Sequence, residues 1–496
     1  MARPTGLILH NASAAPTERL PVLSVSELRE AVIGGVAAGA RLAAFFCASQ
    51  SGSSSRLVAV LAHGASSTLE AYAADVGREY PALTPDCPAA HWFEREIAEQ
   101  ARLSPQGHPW LKPVRSQSQK KAAAEPGVTD YFRMEGDEIH EVAVGPVHAG
   151  IIEPGHFRFQ CHGENVYHLE ISLGYQHRGV ERAMRGPITA RSIHYMETLA
   201  GDTTVGHATA YCQAVEALSG THVSAHAHVI RAIALELERL ANHTGDLGAL
   251  AGDVGFLPTA SYCGRIRGDF LNMTALLCGN RFGRGLVRPG GVGFEFEPAR
   301  REEMSRRLAA ARRDVTEAVN LLWDTPSVMS RFQETGVVSR STAIELGLVG
   351  VAARACGLER DSRLEFPTGI YSFAQIPVSA VETGDVFARA FVRWLEIQRS
   401  LAFIEERLAT VPEGVLRSPV ATLKPSQIAV SLVEGWRGEI CHVAMTDAAG
   451  NFAAYKVVDP SFHNWMGLAM ALRNQQISDF PLCNKSFNLS YCGHDL

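Results

Sequence analysis

Apolar and polar positions change texture along the chain. In the first 110 residues, short apolar runs (LAAFFCAS, LVAVLAH) stand close to amphipathic stretches around Ser26–Gly34 and His91–Leu103. The runs suit strands and the stretches suit helices, so their proximity predicts a small α/β unit. KPVRSQSQKKAAAEPGVTD, Lys112 to Asp130, is polar and punctuated by Pro and Gly, which predicts a linker. HEVAVGPVHAG and GHFRFQCHGENVYHLEISLG then alternate apolar and polar residues between Gly turns and predict a short β-sheet. Long helical patterns follow. In SAHAHVIRAIALELERLANHTG, Val229, Ile233, Leu237 and Leu240 form one apolar stripe, and Gly245 sits where a C-terminal cap would end the helix. Similar patterns occupy about Ala260–Asn280, Pro298–Asp324, Asp385–Thr410 and Phe462–Asn474. The expected class is α+β. A unit spanning 1–111 is followed by a linker at 112–130 and a mostly helical unit at 131–496 that opens on a small sheet.

Composition narrows the function classes. With 46% hydrophobic and 20% charged residues among 496, the chain is not intrinsically disordered. The balance of 46 basic against 52 acidic residues, −6, gives no electrostatic footprint for nucleic acid. Only six of the basic residues are Lys, which favours fixed ion pairing over proton chemistry on lysine. The most apolar stretch, AVIGGVAAGARLAAFFCAS, is interrupted by Arg41, so a soluble chain that meets a membrane only through partners is expected. Ten Cys without a CxxC read as reduced thiols rather than as a zinc site. GxGxxG, P-loop, HExxH and GxSxG spacings are all missing, which removes the usual signatures of nucleotide binding and hydrolysis. Twelve of the 19 histidines fall between His140 and His243, and that span is where proton chemistry near neutral pH would concentrate.

Within it, GPVHAG, EPGHFRF, GYQHRGVE, GHATAYCQAVE and RAIALELERLANH occur in that order. Together they resemble the large subunit shared by respiratory complex I, the NADH–quinone oxidoreductase, where it is the D-type subunit, and membrane-bound group 4 nickel–iron hydrogenases, formate hydrogenlyases among them. The likeness runs from about Val142 to Leu496. Upstream, WFEREIAEQARLSPQGHPWLKPVR, with Glu94, Arg95, Glu96 and then Gly107, His108, Pro109, resembles the signature of the smaller C-type subunit. The chain thus resembles a natural fusion of C-type and D-type subunits. That resemblance implies a peripheral subunit on the cytoplasmic side of the inner (plasma) membrane. It would dock on a small iron–sulfur subunit and rest on membrane subunits of the same complex, with any NAD bound elsewhere.

Hydrogenases of this family hold nickel and iron with two CxxC pairs, because soft thiolates suit these metals. Anchoring the resemblance on His207 places the first pair at Ala200 and Thr203. DFPLCNKSFNLSYCGHDL places the second at Ser490 and Gly493. None of the four is Cys, so the resemblance implies no nickel and no cofactor bound directly, the nearest iron–sulfur cluster lying in the neighbouring subunit. For a quinone pocket, the family's histidine falls near Pro154, leaving His148 or His156 to supply an imidazole. The family's tyrosine falls at about Gly201, leaving Tyr195 or Tyr211. Glu181 matches a glutamate that passes protons in the hydrogenases, and a salt bridge to Arg178 or Arg182 is the plainer alternative. Asp202 and His207 flank the vacated positions, and Arg363, in RDSRLEFP, resembles an Arg loop lining the same cavity. Glu181, Asp202, His207 and Arg363 are therefore the candidate catalytic set. Two functions stay open: electron transfer from an iron–sulfur subunit to quinone or another acceptor, coupled to ion movement, and a non-redox scaffold that passes on protons or conformational change.

Overall fold

The computed structural model describes residues 4–51, 54–115, 131–148 and 150–496. Positions 116–130 of the expected linker lie outside the described residues. Positions 112–115 are docked, the Val114 and Arg115 N–H groups donating to Glu99 Oε2 at 2.9 and 3.1 Å.

In the N-terminal unit, strands Leu7–Leu9, Arg41–Ser51, Ser54–His63 and Thr68–Val76 pair antiparallel, and Val22–Leu23 joins parallel to Thr68–Val76. Residues 57–62 (LVAVLA) are wholly buried, as an unbroken apolar run requires of a strand covered on both faces. Helix Val25–Ala37 starts at a Ser24/Glu27 capping box, two donors satisfied reciprocally. Helix His91–Ala101 packs on the Arg41–Ser51 strand.

Strand Ser13–Pro16 leaves this sheet. It pairs antiparallel with Gln427–Glu434, which continues through Glu439–Thr446 to Phe452–Val458, so residues from both ends of the chain share one sheet. Periodicity assigns no element to the last three strands. Their runs are buried almost throughout, so the alternation that marks a half-exposed strand is missing.

The C-terminal unit opens, as the alternation predicts, on the antiparallel sheet Ile139–Val144, His156–His162, Asn165–Ser172. Helices Thr204–Ser219, Ala225–Asp253, Leu257–Cys278, Pro298–Trp323 and Val386–Ala409 form the body, giving a mixed α+β fold. Gly245 does not end its helix, which runs on to Asp253 because Leu247, Leu250 and Ala251 carry the apolar face forward. Its missing side chain lets a neighbour approach: a Cβ there would lie 2.6 Å from Arg267 Cδ on the next helix. Among the described residues, no helix is long and apolar enough to cross a membrane.

Candidate functional site

The segments carrying Ala200–Thr203 and Ser490–Gly493, nearly 300 positions apart in the chain, meet at a cleft of about 640 Å³ lined by Glu153, Arg178, Glu197, Asp202, Arg284 and Cys492 among others. Guanidinium forks tie the two segments together, as their fixed donor geometry allows. Arg178 donates to the Thr198 and Leu199 carbonyls at 2.6 and 2.7 Å and leans on Cys492 Sγ at 3.7 Å. Arg437 donates to the Gly201 carbonyl (2.8 Å), Thr203 Oγ1 (3.0 Å) and the Asn488 carbonyl (2.6 Å). Behind them, Glu238 of the long helix accepts from the Val205 and Gly206 N–H groups at the start of the helix before it. Burial pushes this carboxyl up to about 8 despite those bonds.

The four positions that the resemblance aligns with thiolate ligands, Ala200, Thr203, Ser490 and Gly493, offer a methyl group, two hydroxyls and a hydrogen. The Thr203 hydroxyl also accepts from Trp436 Nε1 at 3.1 Å, and the Gly493 N–H donates to Ser490 Oγ at 3.0 Å. Gly493 faces Asp459 so closely that a Cβ would stand 2.8 Å from its carboxyl carbon. The neighbouring thiol, Cys492, donates to Glu153 Oε1 at 3.0 Å, and burial together with that carboxylate pushes it up to about 12. One neutral thiol among hydroxyls does not fit a nickel–iron centre, which needs several thiolates. Among the described residues, no three His, Cys, Asp or Glu side chains gather as a metal site.

The candidate residues separate. Asp202 lines the cleft in a left-handed backbone conformation (φ 56°) and pairs with Arg267 at 3.0 Å. His207 turns away into the core: its ring bonds Asp459 Oδ2 at 2.9 Å and His442 Nε2 at 3.1 Å, and His442 reaches the Tyr455 hydroxyl at 2.8 Å. Burial would raise the Asp459 carboxyl, but the bond and charge of His207 outweigh it and bring it to about 2. Arg363 is not in the cleft. It is buried against Asp361 (2.6 Å) and Glu236 (3.1 Å), in an ion-pair network with Arg354, Glu396 and Glu434, because its short helix packs on the C-terminal sheet. Neither His148 nor His156 lines the cleft. Their Nδ1 atoms face the Pro146 and Gly145 carbonyls, both at 3.3 Å, and their Nε2 atoms are buried without a partner. From that loop it is Glu153 that enters the cleft, one position before Pro154.

Glu181 pairs with Lys456 at 2.9 Å rather than with Arg178 or Arg182. Lys456 also pairs with Glu96 of the N-terminal unit at 2.7 Å. Two signals for these residues stand in the sequence: Glu153 flanks Pro154, and Lys456 is a single cation inside the apolar run FAAYKVV. Among the described residues it is the only buried lysine.

The model of the family described as respiratory-chain NADH dehydrogenase, 49 Kd subunit, matches residues 253–427. The chain is 32% identical to formate hydrogenlyase subunit 5 of Escherichia coli (strain K12), over 83% of this chain and 76% of that protein. It is 31% identical to hydrogenase-4 component G of the same organism, over 84% and 75%. To NADH-quinone oxidoreductase subunit 4 of Thermus thermophilus it is 29% identical, over 69% and 90%.

Proposed function

The chain belongs to the family of group 4 hydrogenase and complex I large subunits, and from that premise we propose that it forms the acceptor cleft of a membrane-associated oxidoreductase complex without a nickel–iron centre of its own. In this reading an iron–sulfur subunit faces the cleft and delivers electrons to a quinone or another small acceptor. Membrane subunits beneath it couple the transfer to ion movement, and the chain lies peripherally on the cytoplasmic side. The observation that supports the reading is a cleft with Arg178 and Cys492 on its wall, beside two segments that Arg178 and Arg437 tie together and whose hydroxyls, Thr203 and Ser490, stand where the resemblance expects thiolates.

This chain's own groups have defined tasks there. The Arg284 guanidinium, on the cleft wall, would stabilise negative charge on a reduced acceptor. Glu153 and the neutral Cys492 thiol hold an exchangeable proton beside it. Metal analysis and turnover of the purified complex test the reading together. The expected result is no stoichiometric nickel, with electron transfer reduced at least about ten-fold by Glu153→Gln or Arg284→Ala in intact assemblies. Stoichiometric nickel overturns it.

A second reading, a non-redox coupling subunit, is favoured by how fully Arg178 and Arg437 are occupied with backbone carbonyls. It predicts that the same two variants keep electron transfer and lose ion movement.

A further inference from the structure

Away from the cleft, a small cavity of about 40 Å³ lies between helix Thr204–Ser219, the long helix Ala225–Asp253, strand Gln427–Glu434 and the tight turn Gly369–Ser372. It shares no lining residue with the cleft. His228, Thr368 and Gly369 form its half-buried edge, while Thr209, Leu235, Phe366 and Leu432 are buried on its wall. Space of that size takes about three water molecules, or one ligand group of similar bulk.

The charged groups on the wall are already matched. Arg231 is held by Glu216 at 2.6 Å, Arg363 by Asp361 at 2.6 Å and Glu236 at 3.1 Å, and Glu434 by Arg354 at 2.7 Å. Two more polar side chains are committed, Tyr371 donating to Glu236 Oε1 at 2.8 Å and Gln213 to Thr368 Oγ1 at 3.0 Å. An ion entering here would give up its water without meeting a free counter-charge, which is costly. The cavity therefore selects against charge.

Three neutral groups keep hydrogen-bonding capacity. The Thr209 hydroxyl is buried and bonds nothing among the described residues, although the carbonyl one turn back is the usual partner of a helical threonine. The Thr368 hydroxyl accepts from Gln213, which leaves its own proton to donate. The His228 ring has no hydrogen bond to the described residues. Burial, and the Arg231 charge after it, hold this ring below the ordinary histidine range, so at neutral pH it offers one N–H and one lone pair. Gly369 fixes where the ring lies. Its φ is +56°, and a Cβ there would stand 2.7 Å from His228 Nδ1.

A few polar groups converging in a mostly apolar cavity are the usual anatomy of a small-molecule site. We propose that this cavity binds a small neutral molecule that both donates and accepts hydrogen bonds, of the size of acetamide. Thr209 and Thr368 supply O–H donors for its carbonyl, His228 a ring nitrogen for its N–H, and Leu235 and Phe366 apolar surface for its methyl. The site stands whether or not the acceptor-cleft reading holds, because neither its residues nor its test involve electron transfer.

Saturation-transfer NMR on the full chain at neutral pH, with acetamide and acetate as probes, tests the site. The two probes differ in charge and in the N–H donor but hardly in shape. Acetamide should give a saturable signal and acetate none. Thr209→Val keeps the bulk of the side chain, removes the hydroxyl, and should weaken acetamide binding at least about five-fold. Should that variant fail to fold, His228→Phe is read by the same criterion. A parent chain with no saturable acetamide signal, acetate binding as well as acetamide, or an affinity that the variant leaves unchanged overturns the proposal.

Discussion

At Gly493 a missing side chain and the Asp459 carboxyl share one space. Gly493→Cys should therefore lower stability by about 1–3 kcal/mol, seen as a lower urea midpoint, and should leave nickel unbound by elemental analysis. Two buried carboxyls also set opposite pH limits. Asp459, at about 2, lies below the roughly 3.9 of a free Asp, so its stabilisation is present above that value and is lost as pH falls through 2. Glu181, at about 7, lies above the roughly 4.3 of a free Glu, so its contribution is complete below that value and is lost as pH rises through 7. Urea midpoints across pH should fall on both limbs. Asp459→Asn should flatten the acid limb and Glu181→Gln the neutral one.

Among the elements, the long helix Ala225–Asp253 shows how a glycine can mislead and still matter. The stripe of Val229, Ile233, Leu237 and Leu240 was legible because it repeats at the helical period. The meaning of Gly245 was not, since closeness to Arg267 is a property of two helices together. Gly245→Val should displace the Arg267 side chain, weaken its pair with Asp202 in the cleft, and lower the thermal midpoint by an amount equivalent to about 1–3 kcal/mol. Gly252 is the control: a Cβ there meets only Ala260 Cβ at 3.9 Å, so Gly252→Ala should stabilise by about 0.5–1 kcal/mol. The strands Gln427–Glu434, Glu439–Thr446 and Phe452–Val458 stayed hidden for a related reason, because burial on both faces erases the period of two.

Across the whole molecule, the two units are joined by shared strand pairing and by buried charge. Strand Ser13–Pro16 completes the C-terminal sheet, and Arg41 of the N-terminal sheet pairs with Glu439 at 2.6 Å and Glu365 at 2.8 Å. Removing one partner of a buried pair leaves the other charge uncompensated. Arg41→Ala is accordingly expected to cost about 3–5 kcal/mol and to separate two unfolding transitions, by near-UV and far-UV circular dichroism, that coincide in the parent chain. The candidate site divides along the same line. The place of Asp202 beside the cleft was legible because it sits inside a contiguous motif. The Glu153–Cys492 contact and the Glu96–Lys456 pair span 339 and 360 positions and were not.

Local order along the chain is enough to specify the helical body and the opening sheet, since each depends on residue type and short-range period alone. Which side chains finally face one another is settled by packing. His207 turns inward to Asp459, Arg363 withdraws into an ion-pair network, and Glu153 rather than His148 or His156 reaches the cleft, because long-range folding decides which buried charges find partners.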